Sequence, residues 1–329
     1  MTGFQIAGWG MSVPERVVTS VEIAERFGVT EDWIVSRCGI RERRFVSPGK
    51  ESTASLAIEA GRRALERAGL TGSDIAHLIL ASATPEQLSP ATSVFVQHEL
   101  GITGSAHDVN AECSGFVYGL VTAAGLMTLD PRPILLIGSD THSLTINPKD
   151  RDLSILAGDG AGAVVLTPTP SKWMLAWNLG ADGSKADSLK IQAGGSRMPI
   201  TEEAVRNGLH YSEIKGNEIY LNAVRFSVRT IRATLEQAKV EVHEVDHVLP
   251  HQANIRIINS ILSHTGLPQE KLITNLERYG NTASASMPIA LTEALDADRI
   301  KDGDVVLLAG FGAGMTWGSM LLKWGGEAT

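Results

Sequence analysis

The run Asp108-Val-Asn-Ala-Glu-Cys-Ser-Gly-Phe-Val-Tyr-Gly-Leu120 reads as the end of a buried strand, a short turn and the first turn of an apolar helix. Its thiol, Cys113, therefore stands at a helix N-terminus, facing free backbone N–H groups and the positive end of the helix dipole. That setting favours thiolate over thiol and makes Cys113 a candidate nucleophile. The chain has two cysteines, Cys113 and Cys38. A solitary cysteine is more often a small buried hydrophobe, so the assignment needs partners: a His and an Asn in matching contexts far downstream.

The elements around this run recur. A helix over 52–68 leads to Gly69-Leu-Thr-Gly-Ser-Asp-Ile-Ala-His77 and a strand over 78–82; a helix over 222–239 leads to Val242-His-Glu-Val-Asp-His247 and a strand over 248–251. His77 and His247 lie 170 positions apart, and the apolar run at 134–138 matches that at 305–309, 171 positions on. Glycine-rich turns follow at 158–166 and 310–318. The same order at a near-constant offset indicates a duplicated α/β unit. Its apolar strands read as buried parallel strands covered on both faces. Asn281 lies 168 positions after Cys113, and each precedes an apolar helix, 116–127 and 287–294. Pseudo-symmetric packing brings these two residues together near the twofold axis, with His251 joining from the end of a second-half strand.

The bulk composition narrows the function. At 329 residues, 43% hydrophobic and 20% charged, the chain has material for a large core or two domains. A net charge of −8 argues against broad nucleic-acid or anionic-membrane binding. No stretch reads as long and apolar enough to span a bilayer. The first residues, Met1-Thr-Gly-Phe-Gln-Ile6, lack the regions of a secretory signal. Two cysteines make no disulfide framework, which suits a reducing cytoplasm. The nine histidines show no paired zinc-ligand spacing, and neither a Walker loop nor a Gly-x-Gly-x-x-Gly unit is present, so neither metal nor cofactor is expected.

Six motifs in order carry a resemblance. They are Asp32-Trp-Ile-Val-Ser-Arg-Cys-Gly-Ile-Arg-Glu-Arg43, Cys113-Ser-Gly-Phe-Val-Tyr-Gly119, Asp150-Arg-Asp-Leu-Ser-Ile-Leu-Ala-Gly-Asp-Gly-Ala-Gly162, His251-Gln-Ala-Asn-Ile-Arg256, Gly280-Asn-Thr-Ala-Ser-Ala-Ser286 and Gly310-Phe-Gly-Ala-Gly-Met-Thr-Trp-Gly318. Together, from Ile6 to about Trp324, they resemble the β-ketoacyl-ACP synthase III family of thiolase-fold condensing enzymes. The resemblance implies a duplicated, five-layered α-β-α-β-α fold. Its halves are 1–170, carrying the nucleophile, and 171–329, carrying His and Asn. It implies a decarboxylative condensation of an acyl-CoA primer with malonyl-ACP through an acyl-Cys113 intermediate, giving 3-oxoacyl-ACP, CoA and CO₂. Both thioesters are substrates, and no cofactor takes part.

The resemblance also assigns residues. Cys113, His251 and Asn281 form the triad, with two neutral donors for an enolate and a second oxyanion hole from the backbone of Cys113 and Ala313. Trp33 would stack on adenine beside Arg37 and Arg151. Ile214, Gly216, Asn217 and Asn254 would line the substrate tunnel, with Ala157 near the acyl site. Arg256 and Lys215 are the expected docking point for an acidic carrier protein. A homodimer is expected, with the segments around Pro90–Phe95 and Val109 at its interface. Three positions depart from the family pattern. Glu112 replaces a small residue before the nucleophile and is expected to point away from it, since a carboxylate beside a thiolate would raise the thiol pKa. Ala157 replaces a common Phe, and Ile214 a common Met, which suggests a longer acyl pocket. The stretch Arg151–Leu156 also resembles a quinolone-signal branch of specialised metabolism, whose members use other acceptors.

Overall fold

The computed structural model describes residues 3–171 and 173–325; the outermost ends of the two expected halves, 1–2 and 326–329, lie outside the described residues. In chain order the strands are β1 (Gly3–Ser12), β2 (Val17–Thr19), β3 (Glu42–Arg44), β4 (His77–Ala81), β5 (Ser105–Val109), β6 (Ile134–Thr141), β7 (Asp159–Thr169), β8 (Met174–Ala181), β9 (Leu189–Ile191), β10 (Ser212–Ile214), β11 (His247–Pro250), β12 (Val305–Gly312) and β13 (Thr316–Lys323). One sheet has the order β1-β7-β6-β4-β5 and a second the order β8-β13-β12-β11. The pairs β2–β3 and β9–β10 form separate ribbons.

The two sheets repeat one plan. β8, β13, β12 and β11 occupy the places of β1, β7, β6 and β4. The fifth place in the second sheet shrinks to a single parallel bridge, Val248 to Leu272, in which the Ile273 N–H donates to the Val248 carbonyl at 2.8 Å.

The strands are not all parallel, as the apolar runs suggested. β4 runs parallel to β5 and β6, and β11 to β12, while β7 is antiparallel to both β1 and β6. The difference comes from the glycine-rich stretch after residue 158. Read from the sequence as a turn, it is the buried strand β7. Its glycines make room. A Cβ on Gly162 would lie 2.7 Å from the Ile289 nitrogen, and one on Gly158 would lie 1.9 Å from the Tyr279 carbonyl oxygen.

Helix Thr53–Ala68 covers the outer face of the first sheet and helix Gly216–Ala238 that of the second. Helices Gly115–Leu129 and Ser286–Asp296 lie between the sheets. The expected α-β-α-β-α layering is therefore present. The outer helices are one-sided. Thr53–Ala68 buries Ala57, Ala60 and Ala64 against the sheet and turns Arg62 and Arg63 outward, as an amphipathic helix does. Ser52 opens it with a reciprocal capping box to Ser55, and Gly69 closes it at φ 66°. The second outer helix begins at Gly216, six residues before the expected start, so its first turn reaches the substrate cavity.

Helix Gly115–Leu129 is apolar on every side because sheets flank it. The window Glu112–Leu129 has a mean hydropathy of 1.2 over 18 residues, which meets the length and composition of a membrane span and corrects the sequence expectation. In the fold, Phe116, Val117 and Leu120 pack with Met287, Leu291 and Val306 as a core helix between sheets.

The close approach at Gly162 makes a test. Gly162→Val must push the inter-sheet helix off β7 against backbone atoms that cannot rotate away. The expected loss is about 3 kcal/mol or more of unfolding free energy in urea denaturation. An unchanged midpoint contradicts this packing.

Candidate active site

Two matching elbows build the site. Glu112 has φ 50° and Ala283 φ 46°, 171 positions apart. The Asn110 Oδ1 accepts the Glu112 N–H at 3.2 Å, and the Asn281 Oδ1 accepts the Ala283 N–H at 2.9 Å. Each elbow feeds a short 3₁₀ turn, Glu112–Ser114 or Ala283–Ala285, and then an inter-sheet helix. The repeat therefore pairs Asn281 with Asn110, and Cys113 with Ser284. The offset of 168 that matched Cys113 to Asn281 was three residues short, yet the symmetry still brings the two residues together.

Cys113, His251 and Asn281 line one cavity of about 200 Å³ with Phe311, Gly312 and Ala313. His251 follows β11 and is 2% exposed. Its N–H donates to the Ala309 carbonyl at 2.8 Å, its Nδ1 is 2.7 Å from the Ser286 Oγ, and its ring meets Phe311 edge-on at 5.3 Å. Asn281 is strapped to the segment after helix Arg151–Ser154. Its N–H donates to the Leu156 carbonyl at 2.8 Å, and its carbonyl accepts the Gly158 N–H at 2.9 Å. Because Oδ1 is engaged by Ala283, the Asn281 side-chain NH₂ is the end left for the cavity. A Cβ on Gly312 would lie 2.8 Å from the Cys113 nitrogen, so the Phe311–Ala313 turn presses on the backbone of the nucleophile.

The electrostatics correct one expectation. Burial pushes the Cys113 thiol well above its ordinary value; the nearby carboxylates of Glu112 and Asp140 push the same way, and its own backbone N–H pulls back only weakly. The helix N-terminus does not prevail, and the resting group is a thiol. Glu112 does not turn fully away either. It lines a small cavity beside the nucleophile, where burial first, and then Asp140, raise its carboxyl to about 7. His251 is held down to about 3 by burial and by the neighbouring His142, so its imidazole is neutral.

The other sequence-derived residues divide. Ile214, Gly216 and Asn254 line the cavity. Asn217 is exposed on the first turn of the outer helix and does not line it. Ala157 does not line it either. It is buried among Ile146 and Leu153, with Phe45 and Ile214 packed against them, so neighbouring side chains take up the room a phenyl ring would fill. Its bridge to Asn281 gives it a structural place, and Leu156 faces the cavity instead. The Arg37 and Arg151 guanidinia lie over the Trp33 ring at 3.9 and 4.8 Å. Lys215 and Arg256 are exposed beside cavity-lining Gly216 and Asn254. Cys38 is buried and hydrogen-bonded to the Ile34 and Ile155 carbonyls, away from the cavity.

Sequence reasoning missed His142, Leu189, Ser286 and Met315. His142 carried a usable signal, since it stands 171 positions before Ala313, on the repeat. Among the described residues no group of three or more His, Cys, Asp or Glu side chains is placed to hold a metal ion.

The raised thiol predicts slow chemistry at rest. Alkylation of Cys113 by iodoacetamide, followed by intact mass, should be slow at pH 7 and accelerate with rising pH as thiolate forms. Glu112→Gln should speed it at pH 8 by removing one repelling charge. A fast, pH-independent reaction contradicts the buried-thiol geometry.

Comparison with known proteins agrees with this architecture. Residues 107–183 match the 3-oxoacyl-[acyl-carrier-protein (ACP)] synthase III family, and residues 235–324 match its C-terminal counterpart. The chain is 43% identical over 322 residues to the β-ketoacyl-[acyl-carrier-protein] synthase III of Roseiflexus castenholzii, covering 97% of each chain. Its structure superimposes on the 3-oxoacyl-[acyl-carrier-protein] synthase III of Aquifex aeolicus with a TM-score of 0.90 at 36% identity, covering 98% of this chain and 100% of that one. The priming β-ketosynthase of the R1128 polyketide pathway gives 0.90 at 30% identity, covering 98% and 97%. With the elbows, the cavity and near-complete coverage in agreement, the chain belongs to the β-ketoacyl-ACP synthase III family.

Proposed function

We propose that the chain condenses an acyl-CoA with malonyl-ACP, giving 3-oxoacyl-ACP, CoA and CO₂. The observation that carries this is the meeting of Cys113, from one half, with His251 and Asn281, from the other, in a single cavity.

In the first half-reaction the Cys113 sulfur attacks the acyl-CoA carbonyl. The bond to the CoA sulfur breaks, and the thiol proton leaves with CoA. The backbone N–H groups of Cys113 and Ala313 hold the tetrahedral oxyanion; one such donor contributes about 3–4 kcal/mol to lowering a barrier. In the second, the malonyl C–C bond breaks, CO₂ departs and the electron pair forms an enolate on the thioester oxygen. The enolate carbon attacks the acyl-Cys113 carbonyl, the C–S bond breaks, and the thiolate recovers a proton from solution.

His251 and Asn281 are the enolate donors. In this reading the Ser286 Oγ, which accepts the Gln252 N–H at 3.3 Å, donates its proton to Nδ1 of His251. That leaves the ring proton on Nε2, as a neutral donor requires. Trp33, with Arg37 and Arg151, offers a stacking and phosphate site for the nucleotide of CoA. Arg256 and Lys215 offer positive charge to an acidic carrier protein. These steps need no cofactor, and a free nucleophilic thiol suits the cytoplasm. A second reading, a priming enzyme of specialised metabolism, is favoured by the polar lining beside Cys113.

The half-reactions separate the roles. Cys113→Ala should show no acyl mass shift from acyl-CoA, whereas Asn281→Ala should still self-acylate but lose CO₂ release from malonyl-ACP by about 100-fold or more. Equal loss of both half-reactions in Asn281→Ala contradicts its role.

We also propose a homodimer. β5 is the edge of the first sheet, partly exposed along its length, with Val94 and Leu88 exposed nearby. An open edge of this kind invites pairing. A stable interface of this class buries more than about 2,000 Å². Sedimentation at micromolar concentration should give twice the chain mass, and a stable monomer contradicts the pairing.

A further inference from the structure

The small cavity beside the nucleophile has a chemistry that the condensation itself does not use. It has a volume of about 40 Å³ and shares His142, Leu189 and Ala313 with the cavity of Cys113. The three shared walls set this space beside the cavity that an acyl group on Cys113 would enter. In a pocket that takes plain alkyl chains the lining is apolar. Here it includes Glu112, His142, Thr84, Thr145, Ser212 and Lys190.

Most of these polar groups are satisfied. The Thr84 hydroxyl donates to Asp140 at 3.0 Å and accepts the Thr141 N–H at 2.8 Å. Ser212 donates to the Thr145 hydroxyl at 3.2 Å, which in turn donates to the His142 carbonyl at 2.9 Å. The Lys190 ammonium is bound to Asp187 at 2.8 Å. Two groups remain. The His142 Nδ1 is buried without a partner. Among the described residues no donor reaches the Glu112 carboxylate, whose place at the cavity is fixed by the left-handed elbow.

Both are left to a ligand, and the Glu112 carboxyl keeps an acceptor oxygen in either protonation state. The cavity therefore presents an unpaired carboxyl and an unpaired ring nitrogen, and an alkyl terminus in contact with them would leave both unpaired.

Resting on the acyl-enzyme reading above, we infer that Glu112 and His142 select an acyl-CoA primer whose short chain ends in a hydrogen-bond donor, an amine or a hydroxyl. Leu189 and Ala313 bound the few intervening carbons, and the terminal group donates to the carboxylate and to Nδ1. Sites built to hydrogen-bond a substrate group discriminate strongly against the analogue that lacks it.

Three nearly isosteric thioesters test this: β-alanyl-CoA, 3-hydroxypropionyl-CoA and butyryl-CoA, whose chains differ only in a terminal NH₃⁺, OH or CH₃. The readout is the rate constant for Cys113 acylation by intact mass, divided by the half-saturating concentration. One or both donor-bearing thioesters should exceed butyryl-CoA by about tenfold or more in the wild-type protein. The arm that wins identifies the donor. The ratio should fall toward one in Glu112→Ala and in His142→Leu. Wild-type preference for butyryl-CoA, or equal rates for all three, overturns the inference without any variant. Acylation by simple chains in that case leaves the condensing reading intact, whereas no mass shift from any thioester, acetyl-CoA included, overturns both.

Discussion

The carboxylate of Asp140 ties the two halves together at the point where the chemistry occurs. One oxygen accepts the N–H and O–H of Ser284, from the second half; the other accepts from the Ser82 and Thr84 hydroxyls and the Ala83 and Thr84 N–H groups. Asp140 is fully buried, and a buried charge persists only when its lone pairs are filled. Ser284 is the repeat partner of Cys113, so this anchor sits beneath the elbow that faces the nucleophile. Burial raises the thiol and the Glu112 carboxyl most, and Asp140 adds to both in the same direction. Joining the halves and adding to the suppression of the nucleophile's resting ionisation are thus two effects of one side chain.

Much of this was legible in the sequence. Helix, strand and glycine-rich stretch recur in the same order, which marks the duplication. The near-constant offset located the meeting of Cys113 and Asn281, because the inter-sheet helices must both start at the pseudo-twofold axis. What escaped was finer. The register was read three residues short because apolar helices announce their middles better than their first residues. The elbows at Glu112 and Ala283 carry ordinary residues at positive φ, where glycine would have signalled the turn. β7 was taken for a turn because its glycines look alike whether they bend a chain or clear space for a helix.

The side-chain surprises share one cause. A sequence does not show which neighbour fills a vacancy. Ala157 suggested an enlarged pocket, but Ile146, Leu153, Phe45 and Ile214 close over it. Asn217 falls on the outward side of a helical turn whose neighbour Gly216 faces the cavity. Glu112 was expected to avoid the thiol on electrostatic grounds. The left-handed elbow instead carries its side chain to the cavity wall. Backbone geometry outweighs that repulsion because the turn is required to place Cys113.

The site that results is made of neutral groups. A thiol, a neutral imidazole and an amide meet in one cavity, and negative charge arises only when a thioester oxygen becomes an oxyanion or an enolate. In low dielectric, fixed donors aimed at such a charge act more strongly than in water. The cost appears in acid. A histidine whose folded value is about 3, against an ordinary 6.5, refuses a proton that the unfolded chain accepts. Its contribution is complete above pH 6.5 and is lost as pH falls toward 3. Integrated over that window the penalty is on the order of 4–5 kcal/mol for a fully buried ring. Glu112 works in the opposite sense: with a folded value near 7, it favours the folded state as pH falls from 7 toward its ordinary range. Two groups in adjoining cavities thus offset each other across the mildly acidic range, and the fold tolerates a site kept free of charge.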